Sequence, residues 1–230
     1  MVPHPVVVVI IPALDEAGAI GQVIRGIPAG YADHVVVADN GSTDDTANIA
    51  EAAGAMVIHV PRKGYGTACL AGLRSAVSLH ADVVVFLDGD FADDPACLPR
   101  VLDPVLRGEA DLVLGSRILG TLEEGAILPH QRFGNRVATL LIVLFYRRKL
   151  TDIPSFRAIR VAKLEALGMN HPTFGWPVEM VVKALRHGYL VTEVPVNYRR
   201  RIGQAKVGGT LKGSLLAGYH MIATILRYVR

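Results

Sequence analysis

The chain has 230 residues, 51% of them apolar and 20% charged, with 2 cysteines and 13 prolines. That composition excludes a disordered, collagenous or disulfide-stapled chain and leaves room for one α/β domain, or two small ones, around a sizeable core. The net charge of +3 conceals an asymmetry: residues 1–129 carry 7 Lys+Arg against 17 Asp+Glu (−10), whereas residues 130–230 carry 17 against 4 (+13).

Val6 to Ile11 is an unbroken apolar run, the pattern of a strand buried on both faces of a parallel sheet. It carries no basic leader, and proline and acids break it off, so it reads as a first strand rather than a signal segment. Pro12-Ala13-Leu14-Asp15-Glu16 turns it toward a helix running to about Ile27, where the acids either favour the helix start or face a ligand. Val35 to Ala38 is a second strand, and Asp39 ends it before the polar loop Asn40–Thr46 and a helix through Ala53. Met56 to Val60 is a third strand. Arg62-Lys63-Gly64-Tyr65-Gly66 then leads into a helix from about Thr67 to Leu79; its glycines allow close backbone approach and its cations suit a diphosphate. The spacing is not that of a P-loop and no GxGxxG follows the first strand, which removes the main support for a nucleoside triphosphatase or a nicotinamide dehydrogenase.

Val83 to Asp93 (VVVFLDGDFAD) is a second uninterrupted apolar run that stops at Asp88-Gly89-Asp90. Those acids therefore stand at a strand's carboxyl end, the edge where open α/β sheets bind ligands, and two carboxylates there can share a divalent cation with phosphate oxygens. The competing reading is a polar turn. A helix capped at Asp93-Asp94-Pro95 runs to about Leu106, and a strand from Asp111 to Gly115 ends in Ser116-Arg117. Strands and helices alternating at these lengths imply a mainly parallel sheet with helices on both faces.

Beyond residue 118 the texture changes. A loop over 118–131 precedes the helical stretch opened by Arg132 and Asn135, whose apolar VATLLIVLFY segment is closed by Arg147-Arg148-Lys149. It is too short to span a bilayer, leaving a buried core helix or one lying on a membrane. Thr151 to Arg157 turns into a short strand, FRAIR. Glu179 opens another helix in an apolar first turn, either as dipole compensation or as a substrate ligand. A strand from Tyr189 to Tyr198 feeds a cationic loop containing Arg201 and Lys206, suited to clamping phosphates. Leu211 to Val229 forms a final, mostly apolar helix. The basic half suits phosphate groups or an anionic membrane surface, and no nucleic-acid module accompanies it. Cys69 and Cys97 lack metal-ligand spacing, which points to a reducing cytoplasmic compartment.

The blocks PALDE, VADNGSTDDT, RKGYG, FLDGD, GSR, TDIPSFRAIR, GWPVEM and EVPVNYRRRIGQAK, in that order, resemble the family 2 glycosyltransferases, particularly the dolichyl- or polyprenyl-phosphate mannosyl- and glucosyltransferases. The resemblance implies an α/β nucleotide-diphospho-sugar transferase fold of the glycosyltransferase A type. It implies a single domain over residues 1–230, with about 1–117 holding nucleotide sugar and metal and about 118–230 holding the acceptor. It implies transfer, with inversion, of a hexose from a GDP- or UDP-hexose to a polyprenyl phosphate, assisted by Mg2+ or Mn2+ at the inner face of a membrane. Matched by motif, Pro12, Ala13, Glu16, Asp39, Lys63 and Gly64 belong to the donor pocket, Asp90 to the metal, and Asp88 to the metal and nucleotide together. Arg117, Arg132, Asn135, Arg201 and Lys206 would meet phosphates of donor or acceptor. For a hydroxyl acceptor a general base is required, and Asp152 and Glu179 are the candidates. Two departures stand out: Pro154-Ser155-Phe156-Arg157 replaces the usual serine-glycine-phenylalanine-arginine, and Gln204-Ala205-Lys206 lacks the serine that usually precedes the lysine. The rival readings are transfer to a soluble phosphorylated acceptor or a glycan, and a non-catalytic sugar-nucleotide-binding protein.

Overall fold

The computed structural model describes residues 4–203 and 211–229. Its centre is a seven-stranded sheet in the order β3-β2-β1-β4-β6-β5-β7. The first apolar run forms β1 (Val7–Ala13), buried at every position. Alternate residues of β1 enter opposite cores: Val8 and Ile10 pack on one face and Val7, Val9 and Ile11 on the other. A strand that must be apolar on both faces has no polar alternation, hence the unbroken run.

On one side of β1 lie β2 (His34–Asp39) and β3 (Met56–His59), and on the other β4 (Val83–Phe86), all parallel. One face is covered by α1 (Ile20–Gly26), α2 (Thr46–Ala52) and α4 (Leu98–Leu106). The other is covered by α3 (Tyr65–Ser78), α5 (Pro129–Tyr146), α6 (Val161–Ala166), α7 (Trp176–Arg186) and α8 (Leu211–Arg227). Strand order reverses between β2 and β4 around β1, creating the crevice at the strands' carboxyl ends where such sheets bind ligands.

The sheet is mixed. β6 (Arg157–Arg160) runs antiparallel between β4 and β5 (Leu112–Ser116), while β7 (Val191–Pro195) is parallel to β5. The reason lies in the connection. The chain leaves β5 at the carboxyl edge, and its excursion through α5 returns to that edge at Thr151 and Asp152, beside Ser116 and Arg117, so the FRAIR segment enters the sheet from there and runs backward.

Several boundaries differ from the sequence reading. The helix after PALDE starts only at Ile20, because Asp15 takes a left-handed backbone (φ 50°) and residues 15–17 are tied to the 42–46 loop, with Glu16 N donating to Thr46 Oγ1 at 2.7 Å. The last strand ends at Pro195 rather than Tyr198. Beyond it, Tyr198 forms bridges to Asp93 and Leu122, carrying the chain across the carboxyl edge.

Candidate active site

At that edge a cavity of about 580 Å³ lies between the ends of β1 and β4. Pro12, Ala13 and Glu16 form one wall, Lys63, Gly64 and Tyr65 another, and Asp88, Gly89 and Asp90 line it with Arg201; Thr173, Phe174 and Pro177 complete the enclosure. Eight of the residues singled out from sequence thus meet in one place: Pro12, Ala13, Glu16, Lys63, Gly64, Asp88, Asp90 and Arg201.

Asn40 brings the lysine there. Its side-chain amide donates to Val60 O (3.1 Å) and Arg62 O (2.9 Å), and its Oδ1 accepts from Gly64 N (2.7 Å), sewing the end of β2 to the Arg62–Gly64 loop. Gly64 has φ 139°, and a Cβ there would overlap the carbonyl of Pro172, so glycine is required for the 170–175 loop to seat against α3. Asp39, one residue before Asn40, does not line the cavity. Its carboxylate accepts from Ser42 N at 3.1 Å and lies 3.4 Å from His59 Nδ1, shaping the turn that presents Asn40.

The two acids of the Asp-Gly-Asp turn have different surroundings. Asp88 Oδ1 accepts from the Tyr65 hydroxyl at 3.0 Å; burial and then the Asp90 charge push its carboxyl from the ordinary 3.8 up to about 6. Asp90 Oδ1 accepts from Ala92 N at 3.0 Å, and its Oδ2 lies 3.5 Å from the Arg201 guanidinium, which also holds Glu16 at 2.7 Å. Ile202 N donates to Asp90 O and Arg199 N to Ala92 O, both at 2.9 Å, fastening the 199–202 segment over the turn. Phe91, between them, is left-handed at φ 61°, a costly conformation for an aromatic residue of the kind that gathers at functional sites.

The raised carboxyl has a pH consequence for the metal-free protein. Because folded Asp88 holds its proton up to about pH 6 while the unfolded chain releases it near 3.8, the folded state binds more protons in that window and loses stability as pH rises through it. Urea titrations across the window should show this decline, and Asp88→Asn should flatten it.

A second polar cluster adjoins the first. Arg117, just past β5, grips Asp152 with both ends of its fork: Nε to Oδ2 and Nη2 to Oδ1 are each 2.7 Å. Burial alone would lower the Arg117 pKa, but the Asp152 carboxylate overrides it and raises it. Asn135 on α5 braces the same turn, donating to Thr151 O and accepting from Ile153 N, both at 3.2 Å. Between the clusters, Asp93 is buried with Oδ1 lacking a partner among the described residues; burial first, then the Asp88 charge, pushes its carboxyl up.

The family model for glycosyl transferase family 2 matches residues 8–168. The chain belongs to this family. An uncharacterised glycosyltransferase of Mycobacterium tuberculosis is 37% identical over 213 residues, covering 92% of this chain and 94% of that protein. The undecaprenyl-phosphate mannosyltransferase of Micrococcus luteus is 29% identical over 222 residues, covering 90% of this chain and 89% of the relative. Among solved structures, glucosyl-3-phosphoglycerate synthase of M. tuberculosis, in complex with Mn2+, UDP and glucosyl-3-phosphoglycerate, superposes with TM-score 0.76 at 25% identity, covering 98% of this chain and 80% of that one. The protein is therefore a glycosyltransferase with the glycosyltransferase A-type fold, its mostly parallel sheet flanked by helices.

In this glycosyltransferase, neither acid considered as a general base is free for that work. Both oxygens of Asp152 are committed to Arg117. Glu179 lies outside the cavity, wholly buried, accepting from His171 N (2.8 Å), Asn170 N and the Tyr228 hydroxyl (3.0 Å) while pairing with Lys183 at 2.8 Å. Its apolar sequence setting concealed a structural anchor. Arg132 is exposed on α5, away from the cavity lining, and Lys206 falls outside the described residues. Sequence reasoning passed over Asn40, Tyr65 and Ser155 as site residues; all three sit inside the quoted motifs, but the roles of Asn40 and Tyr65 depend on contacts between separate loops.

Proposed function

We propose that the protein transfers a hexose, with inversion, from a UDP- or GDP-hexose to a polyprenyl phosphate presented at the cytoplasmic face of a membrane. The observation that carries the transfer is the convergence of Asp88 and Asp90 with Lys63 and Arg201 on one cavity at the β1/β4 switch point. Pro12, Ala13, Glu16 and Gly64 would bound the nucleotide, with Asp39 shaping the adjoining turn, and Lys63 and Arg201 would face its phosphates.

The donor set fits Mg2+ or Mn2+. Asp88 and Asp90 offer hard carboxylate oxygens, with the buried Asp93 oxygen, which has no partner among the described residues, close behind them in sequence. Among the described residues no three such side chains are grouped to hold a metal by themselves, so its other ligands would come from the donor diphosphate and water. The relative with Mn2+ and UDP in its crystal supports the same pairing. When bound, the cation supplies charge neutralisation at the leaving diphosphate. Asp90 would be its main protein ligand, and Asp88 would be shared with the nucleotide or sugar. An acceptor oxygen then attacks the anomeric carbon as the bond to the diphosphate breaks, while Lys63 and Arg201 hold the departing charge.

The engagement of the two acids considered as bases supports a phosphate acceptor. A phosphate monoester is already anionic and attacks unaided, whereas a hydroxyl needs a carboxylate, and Asp152 and Glu179 are both engaged elsewhere. Likeness to the undecaprenyl-phosphate enzyme supports the same acceptor. Arg117 and Asn135, together with Arg132, Arg201 and Lys206, would receive the acceptor and donor phosphates. A soluble phosphorylated acceptor is the second reading, favoured by likeness to the phosphoglycerate enzyme. Radiolabelled UDP- and GDP-hexoses incubated with Mn2+ and either undecaprenyl phosphate or 3-phosphoglycerate separate the two: butanol-extractable label supports the lipid, and label confined to the aqueous phase sinks it.

Arg117→Lys tests the phosphate role. A lysine cannot reproduce the fork, so Asp152 loses a charge-assisted bond at a stability cost of about 1–3 kcal/mol. The acceptor KM should rise about tenfold with the donor KM unchanged, measured at saturating donor and then saturating acceptor.

A further inference from the structure

We infer that the outer faces of α5 and α8 together form a docking surface for an anionic lipid bilayer. This rests on the lipid-phosphate reading of the acceptor and adds to it the part of the molecule that meets the membrane.

The two helices lie side by side, with the Tyr146 hydroxyl donating to Ile225 O at 2.9 Å. Each buries its inner side in the same core, through Ala138 and Ile142 on α5 and Ile225 on α8. Their outer sides keep large apolar groups in water. On α5, Phe133 (71% exposed), Leu140 (64%) and Leu144 (66%) fall on one stripe at helical spacing; on α8, Tyr219 (67%), Ile222 and Leu226 form another. Scattered exposed leucines are ordinary, but exposed apolar stripes on two neighbouring helices are not scattered, and grouped apolar surface marks interaction sites.

Charge selects the occupant. From Pro129 to Lys149 and from Leu211 to Val229 the sequence contains no Asp or Glu. The exposed cations Arg132, Arg136, Arg147, Arg148 and Lys149 flank the α5 stripe, and Arg227 the α8 stripe. A second copy meeting this face through itself would set like charge against like. An anionic bilayer supplies the complementary charge and an apolar layer for the leucines and phenylalanine. No helix among the described residues is long and apolar enough to cross a membrane, consistent with a helix pair lying in its surface. Asn135 stands on the same helix and braces the Arg117–Asp152 turn, so docking would bring that phosphate-binding corner to the headgroup layer.

The test is sedimentation of the full chain with phosphatidylcholine vesicles and with phosphatidylcholine–phosphatidylglycerol vesicles, with neither donor nor acceptor present. Expected is binding to the anionic vesicles, weakened by salt, and falling about tenfold or more in Leu140→Asp/Leu144→Asp and in Arg147→Glu/Arg148→Glu. Both variants should keep the wild-type circular dichroism spectrum and melt, which shows that they fold whatever the acceptor, and wild-type turnover on a short-chain, water-soluble polyprenyl phosphate. Absence of vesicle binding, variants that bind as well as wild type, or a dimer in light scattering that the leucine variant dissociates would each overturn the inference. Vesicle binding lost in the variants supports it even where no butanol-extractable product forms, a result that would remove the acceptor reading alone.

Discussion

Asp90→Ala is expected to lower turnover about a thousandfold or more, on the order of 4 kcal/mol of transition-state stabilisation, while the fold survives. The large activity loss follows from position. Asp90 is the acid of the pair that faces both the cavity and the Arg201 guanidinium, whereas Asp88 is tethered to Tyr65. The small stability loss follows from like-charge crowding: Asp90 is the second cause, after burial, of the raised Asp88 carboxyl, so its removal relieves repulsion as it deletes a bond to Ala92 N. The Asp88 carboxyl should therefore titrate lower in this variant. Turnover against Mn2+ concentration, with circular dichroism melts alongside, provides the measurement; a folded Asp90→Ala protein with wild-type turnover would remove Asp90 from the mechanism.

The acids at Asp88 and Asp90 were legible because a strand buried on both faces has a sequence signature, and whatever follows it stands at a sheet edge. The direction of β6 was not. An apolar tetrapeptide such as Arg157–Arg160 says nothing about which edge it enters from, and that is set by where the α5 excursion returns to Ser116 and Arg117. The engagement of Asp152 and Glu179 was not legible, because partners that hold them are brought together only by the fold. Arg117, which grips Asp152, lies 35 residues earlier, and although Lys183 stands only four residues beyond Glu179, the Tyr228 hydroxyl that completes its anchoring lies 49 residues later. The α5 run posed the opposite difficulty: VATLLIVLFY suits either a core or an interface, and only the packing of Ala138 and Ile142 inward, with Leu140 and Leu144 outward, separates the two.

Glu179→Ala should cost about 3–5 kcal/mol of stability, the range for breaking one side of a buried ion pair. The alanine would leave Lys183, 9% exposed, without its carboxylate and would strip acceptors from Asn170 N, His171 N and the Tyr228 hydroxyl. For a chain of this length that corresponds to a fall in Tm of roughly 10 °C. The loss should also reach the donor. Glu179 pins the start of the 170–175 loop, whose Pro172 carbonyl accepts from Thr67 N at 3.0 Å and whose Thr173 and Phe174 wall the cavity. Loosening that loop should raise the donor KM more than it lowers kcat. Glu179→Gln keeps an acceptor oxygen for the amides, and Lys183 still donates to Gly168 O at 2.7 Å, so it should be milder in both stability and KM. The comparison discriminates between roles: a general base at this position would give a Glu179→Gln protein as stable as wild type with turnover abolished, whereas an anchor gives a graded loss of stability with chemistry intact.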